Sequence, residues 1–151
     1  MESRKIFVVL LAAVLTAATA GAAATGPTIV QDQAQEPVYE ELAGYGKKCV
    51  IDQDYSFTYD FDQRPKMGTA ILIVKLFDKN GERRTDLEII GNSGMPSMSG
   101  AHDSGDVPFK LNKKGNYLLP VSVVMAGGWE VKLAFLKDKK VIYRGKFVFN
   151  V

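Results

Sequence analysis

The sequence predicts an all-β fold, an antiparallel sandwich of seven strands. Residues 55–151 contain seven runs of strand length, each apolar or alternating between apolar and polar residues. Turn signals separate these runs every eight to twelve residues, and none of the runs has a helical period. This pattern is typical of an immunoglobulin-like β-sandwich that follows an N-terminal signal peptide. A small closed barrel remains an alternative, because the sequence does not fix the strand order.

The composition predicts one globular domain and argues against several classes of function. The chain has 151 residues, of which 46% are hydrophobic and 24% are charged. Its net charge is only +2 and no block of five like charges occurs, so we do not expect nucleic-acid binding. A single histidine cannot build the common His-rich zinc or di-iron sites. With one imidazole and no nucleophile elbow or phosphate loop, we do not expect an enzyme.

Residues 1–24 have the pattern of a secretory signal peptide. Basic residues at positions 4 and 5 precede an apolar run over 6–18, and small residues then fill positions 20–24. We therefore expect cleavage near residues 22–24 and a periplasmic or secreted protein without a stable membrane span. The alternative is an uncleaved helix that anchors the chain in the membrane, because the apolar and small residues together approach the length of a span.

The next segment, residues 25–46, reads as a flexible tether before a domain over 47–151. It is rich in Gln, Glu, Pro and Gly and has no sustained apolar period, although a short helix near 38–42 is possible. Cys49 is the only cysteine, so no internal disulfide can form. We favour a half-buried structural role for its thiol over a ligand or an intermolecular disulfide.

Three strands are expected in the first half of the domain. Four aromatic residues between positions 55 and 61 alternate with polar residues, which turns every ring toward one face of a sheet. The run over 69–77 is apolar and β-branched, as in a buried strand. An Asn-Gly pair then supplies the positive φ angles of a tight turn, and the third strand is expected over 84–90.

A long loop over 91–106 divides the two halves of the domain, because Gly, Ser, Asn and Asp dominate its composition. Pro120 predicts that its strand lies at a sheet edge or contains a bulge. The remaining strands are expected over 107–111, 117–125, 129–136 and 141–151.

The methionines fall in connections that an antiparallel fold brings to one end. Each strand carries the chain to the opposite end, so alternate connections emerge together. The first connection holds Met67, and the third holds Met95, Met98 and the single histidine, His102. Met125 immediately precedes the fifth connection. The topology therefore predicts a cluster of thioethers and one imidazole at one end of the sandwich.

This residue set points to a soft metal ion. Thioether sulfur and imidazole suit Cu(I) far better than Mg²⁺, Ca²⁺ or Mn²⁺. Met95 and Met98 stand three residues apart in a loop where both sulfurs could face one ion. Methionine also fills gaps at the ends of cores, so a purely structural role for the pair stays open. His102 has the same two interpretations, since an exposed loop histidine is often only solvated.

Several short motifs resemble the YtkA-like domain, which is related to FixH-type proteins. The resemblance covers roughly residues 54–151. It rests on PKMG at 65–68, DKNG at 78–81, MPSM at 95–98, KKGNY at 113–117 and MAGGWEV at 125–131.

The resemblance implies an exported immunoglobulin-like domain that takes part in copper handling or in the assembly of copper-containing oxidases. The positions that it carries over as metal ligands are Met95, Met98, His102 and Met125. Two features depart from the family, because related loops are often richer in Met and His and FixH-type proteins keep a membrane helix. We therefore expect a non-catalytic Cu(I)-binding module that serves a copper-accepting protein. The alternative is a structural or protein-interaction sandwich without metal.

Overall fold

The computed structural model describes residues 36–151, which fold into two β-sheets packed face to face. The prediction of an all-β sandwich is confirmed. The predicted signal peptide lies outside the described residues. No helix among residues 36–151 combines the length and the apolarity that crossing a membrane requires.

The strands are β1 Glu40–Glu41, β2 Cys49–Val50, β3 Tyr55–Phe61, β4 Gly68–Asp78, β5 Arg83–Arg84, β6 Glu88–Gly94, β7 Val107–Pro108, β8 Lys110–Leu111, β9 Tyr117–Val123, β10 Gly128–Lys137 and β11 Lys140–Asn150.

The strands divide into two separate hydrogen-bonded ladders. The first sheet has the order β1-β11-β10-β6-β7. The second sheet has the order β2-β3-β4-β9-β8, and β5 pairs with β4 beside this path. All pairs are antiparallel except β1 with β11. Because two sheets face each other rather than closing into one, the barrel alternative is wrong.

The core lies between the sheets and follows the alternation that the sequence predicts. The aromatic residues of β3 point inward and meet the aromatic residues of the first sheet. The ring centroids of Phe57 and Phe135 are 4.5 Å apart, as are those of Tyr59 and Phe147. Trp129 is only 1% exposed and belongs to this core. Burial of these large side chains provides most of the driving force for the sandwich.

The third strand is longer than its sequence indicates. The sequence predicts a loop over residues 91–94, but they continue β6 and pair with β10. Gly91 occupies an inward position, where an added Cβ atom would overlap Leu119 Cδ2 and would lie 2.9 Å from Phe109 Cε2. Packing inside a strand therefore requires a small residue here, whereas the composition of the segment indicates a loop.

The fourth predicted strand changes sheets in the middle. Val107–Pro108 pairs with β6 in the first sheet, and Lys110–Leu111 pairs with β9 in the second. Between them, the Phe109 amide donates to the Ile89 carbonyl at 2.8 Å. The described part of the chain thus has six strands of seven or more residues and five of two residues in place of seven uniform ones.

Residues 36–46 belong to the folded unit, whereas the sequence predicts a tether that extends to residue 46. Glu40 and Glu41 form a strand parallel to β11, in place of the short helix considered above. Leu42 packs on the core, and the Tyr45 ring contacts three core aromatic rings at centroid distances of 5.5 to 5.9 Å. A few apolar residues among polar ones are enough to dock residues 36–46 on the core, but they are too few to give the segment a hydrophobic period. Cys49, in β2, is 6% exposed, and burial raises the pKa of its thiol.

Candidate metal site at the strand ends

The connections that carry methionine do lie at one end of the sandwich. Gly68, which follows Met67, pairs with Val123 at the end of β9. In the first sheet, Gly94 at the end of β6 pairs with Glu130 near the start of β10. The turn that joins β9 to β10 links these two places. This end therefore gathers every methionine among residues 36–151.

Met95 and Met98 line the same cleft at this end. Met95 immediately precedes the 3-10 turn Pro96–Met98 and Met98 ends it, and the Met98 amide donates to the Met95 carbonyl at 2.9 Å. The cleft has a volume of about 60 Å³. Met95 is 7% exposed and Met98 is 41% exposed, so the site has one buried thioether and one that solvent reaches.

Packing fixes the position of the Met95 side chain. Its methyl carbon lies against the backbone of Gly127 in the turn between β9 and β10, where an added Cβ atom would be 2.9 Å from Met95 Cε. Gly127 also has φ +139, a conformation that other residues rarely adopt. Glycine at this position therefore leaves room for Met95 to lie between the cleft and the turn.

Two carboxylates that were not among the predicted metal ligands also line the cleft. They belong to Glu130 and Asp103. The Glu130 side chain is only 15% exposed, and its oxygens lie 3.4 Å from Lys132 Nζ and 3.3 Å from Lys146 Nζ. The outward orientation of Glu130 could have been predicted from the alternation of β10, because the neighbour of an inward Trp129 has to point outward at the same strand end.

His102 and Met125 do not line this cleft. His102 lines a neighbouring cleft with Trp129 and Pro120, and Asp103 borders both clefts. Met125 is 37% exposed, and its backbone carbonyl accepts a hydrogen bond from Trp129 Nε1 at 3.1 Å. The structure therefore brings together two of the four ligands named from the sequence and places the other two beside them.

The possible metal donors at this end are thioethers and carboxylates. Among residues 36–151, no group of three or more His, Cys, Asp and Glu side chains is placed to hold a metal ion. The cleft instead offers two thioethers next to two carboxylates, one of them paired with lysines. The two thioethers are soft donors that suit Cu(I), whereas the two carboxylates are hard donors that suit Mg²⁺, Ca²⁺ or Mn²⁺.

Comparison with known proteins adds little to this geometry. No family model and no curated protein match the chain. Among solved structures, the fold is similar to that of FetP from uropathogenic E. coli strain F11, which was expressed recombinantly in the periplasm. The two chains are 10% identical, the TM-score is 0.48, and the match covers 71% of this chain and 93% of FetP. Membership of the YtkA-like family stays a prediction, and the function has to be argued from this chain's own residues.

Proposed function

We propose that this protein is an exported, non-catalytic module that binds Cu(I) at the Met95–Met98 cleft. The observation that carries the proposal is that Met95 and Met98, at the start and the end of one tight turn, line the same open cleft. Thioethers are soft, neutral donors that prefer Cu(I), and among residues 36–151 methionine is the only soft donor lining this cleft.

The unequal burial of the two thioethers supports transfer rather than permanent storage. Met95 is held by the core and by Gly127, so it provides a fixed donor. Met98 is 41% exposed and can meet an incoming donor or acceptor protein. A site with few protein ligands and an accessible side leaves positions open for ligand exchange. The expected partner is therefore a protein that accepts copper.

Asp103 and Glu130 add negative charge beside the thioethers. Because Lys132 and Lys146 lie within ion-pair distance of Glu130, its charge is partly compensated, whereas Asp103 is exposed at the rim. The carboxylates would attract a cation to the cleft, and this attraction would weaken with ionic strength. His102 and Met125 remain candidate third ligands, since both lie at the same end of the sandwich.

A competition titration tests the proposal. The purified protein is titrated with Cu(I) against a chromophoric chelator, and Ag(I) serves as a redox-silent check. We expect one ion per chain with a Kd below about 1 μM. Changing Met95 and Met98 together to Leu should abolish binding while roughly conserving side-chain volume.

Met67→Leu provides a matched control. Met67 lies at the same end and is 62% exposed, but it does not line the cleft, so this variant should bind Cu(I) like the parent. Unchanged affinity in the Met95 and Met98 double variant would remove the cleft from the site. Single His102→Ala and Met125→Leu variants then report whether either residue supplies a third ligand.

The second candidate function is a structural or protein-interaction sandwich without metal. The low exposure of Met95 favours it, because a side chain packed on Gly127 also caps the core. This function predicts no Cu(I) or Ag(I) binding by the parent protein. It also predicts that Met95→Leu changes only the free energy of unfolding, so the same titration separates the two functions.

A further inference from the structure

The outer face of the second sheet carries charges of opposite sign on its two sides. Cα pairing places Asp60 opposite Ile73, Ile73 opposite Leu118, and Leu118 opposite Lys110. Paired residues of antiparallel strands point to the same face of a sheet. One row across the face therefore reads acid, apolar, apolar, base.

A second apolar pair widens the middle of this face. Ile71 pairs with Pro120 next to the row described above, on the same outward side of β4 and β9. Pro120 is exposed, and Ile71, Ile73 and Leu118 are only half-buried. Alternation would normally put polar residues at such outward positions. Four neighbouring apolar residues there require a different explanation.

The outer face of the first sheet differs, because this chain covers it. The ring of Tyr39 lies under Lys132 Nζ at 5.6 Å, and Pro37 and Tyr39 together line clefts along β10. Ion pairs of Lys146 with Glu41 and Glu130 cross the same surface. Apolar side chains on the outer face of the first sheet, such as Ile90 and Leu136, share a cleft with Pro37 and Tyr39, whereas Ile71, Ile73 and Leu118 on the second sheet line a cleft whose other lining residues are polar.

We propose that this face binds the same face of a second copy of the chain. In the proposed dimer, a two-fold axis that runs parallel to the strands, between β4 and β9, relates the two stacked sheets. This axis places the row of one copy over the same row of the other copy in the reverse order. Asp60 of each copy then faces Lys110 of the other, and Ile73 faces Leu118. Aligned face-to-face packing of this kind is a common arrangement of sheets, and two-fold symmetry makes the contact self-complementary. The charge arrangement thus identifies a second copy as the occupant.

This contact does not involve the metal cleft, so the two proposals can fail separately. The Met95–Met98 cleft shares no lining residue with the docking face, although the neighbouring His102 cleft borders the docking face at Pro120. A metal-free protein should therefore dimerise as well as a metal-loaded one. Dimerisation would leave Met98 accessible to a partner.

Sedimentation velocity over about 1–200 μM protein tests the proposal. We expect a monomer–dimer equilibrium with a Kd in the micromolar range, as befits an interface with a small apolar centre. Asp60→Lys and Lys110→Asp each place like charges opposite one another, so each should weaken the dimer about tenfold. The double charge swap restores opposite charges and should return the Kd to within about threefold of the parent value.

The swap also controls for damage to the fold. Asp60 accepts a hydrogen bond from the Phe61 amide at 2.8 Å, so the Asp60 variant alone can lose some stability. If the Asp60 variant loses the dimer because its fold is damaged, the double variant should lose it too. If the loss comes from repulsion between like charges, the double variant should dimerise again. A parent protein that stays monomeric up to about 200 μM overturns the proposal. So does a dimer whose Kd neither single variant changes.

Discussion

Gly145→Ala, combined with Leu42→Ala, tests whether residues 36–46 are docked on the sandwich. A Cβ atom added at Gly145 would overlap Leu42 Cδ2 and would lie 3.0 Å from Tyr143 Cε1. Because the first contact is far inside ordinary van der Waals distance, the Leu42 side chain has to move. Overpacking of this size costs about 2 kcal/mol of the free energy of unfolding. Leu42→Ala alone removes a half-buried side chain and should cost about 1–2 kcal/mol.

The two changes should not add. The Leu42→Ala change removes the atoms that a Cβ at position 145 would strike, so the double variant should be at least about 1 kcal/mol more stable than the sum of the single effects predicts. Guanidinium unfolding measures this directly, because Trp129 is the only tryptophan and is 1% exposed in the native state. Additivity within about 0.5 kcal/mol would show that Leu42 does not lie against Gly145, and the reasoning would be refuted.

Two further predictions concern stability at the two ends of the sandwich. Arg84 and the Tyr55 hydroxyl hydrogen-bond to Asp86, and the Arg84 bond is the main cause that lowers the Asp86 pKa from 3.8 to about 2. Because the ion pair is partly exposed, Asp86→Asn should lower the free energy of unfolding by only about 1 kcal/mol at pH 7. Urea unfolding should show that the difference between the variant and the parent shrinks as the pH falls from 3.8 towards 2, because Asp86 then becomes protonated in the parent. Trp129→Phe removes the hydrogen bond to the Met125 carbonyl and leaves a cavity. Unfolding followed by far-UV circular dichroism should therefore show that the free energy of unfolding falls by about 2–3 kcal/mol. A loss below about 0.5 kcal/mol would contradict the packing described for Trp129.

Strands with strict alternation were predictable from the sequence, and strands whose residues are chosen by packing were not. The aromatic residues of β3 all point inward, as their period of two requires. β9 lies between β4 and β8 and is therefore not an edge strand, but Pro120 lies beyond the two residues of β9 that pair with β8. Gly91 and Ser93 have the composition of a loop, although their small side chains fit the inner face of β6. Composition alone cannot distinguish a glycine needed by a turn from a glycine needed by a neighbour.

The candidate site was predictable at the level of the strand end but not of individual ligands. Alternation of direction was enough to gather Met67, Met95, Met98 and Met125 at one end. Which side chains share a cleft depends on the 3-10 turn and on the contact with Gly127, and neither leaves a periodic signal. Glu130 was missed because its role depends on its neighbour across the sheet, Gly94.

The parallel pairing of β1 with β11 has a consequence for the order of folding events. Glu40 pairs with Gly145, so this contact joins residues from opposite ends of the described sequence. A chain made from its N-terminus presents Glu40 long before Gly145 exists, and loops of this length close slowly. Glu40, Glu41 and Leu42 therefore cannot form their backbone hydrogen bonds until β11 has been made. During synthesis, Leu42 would be available to a chaperone until it packs on β11.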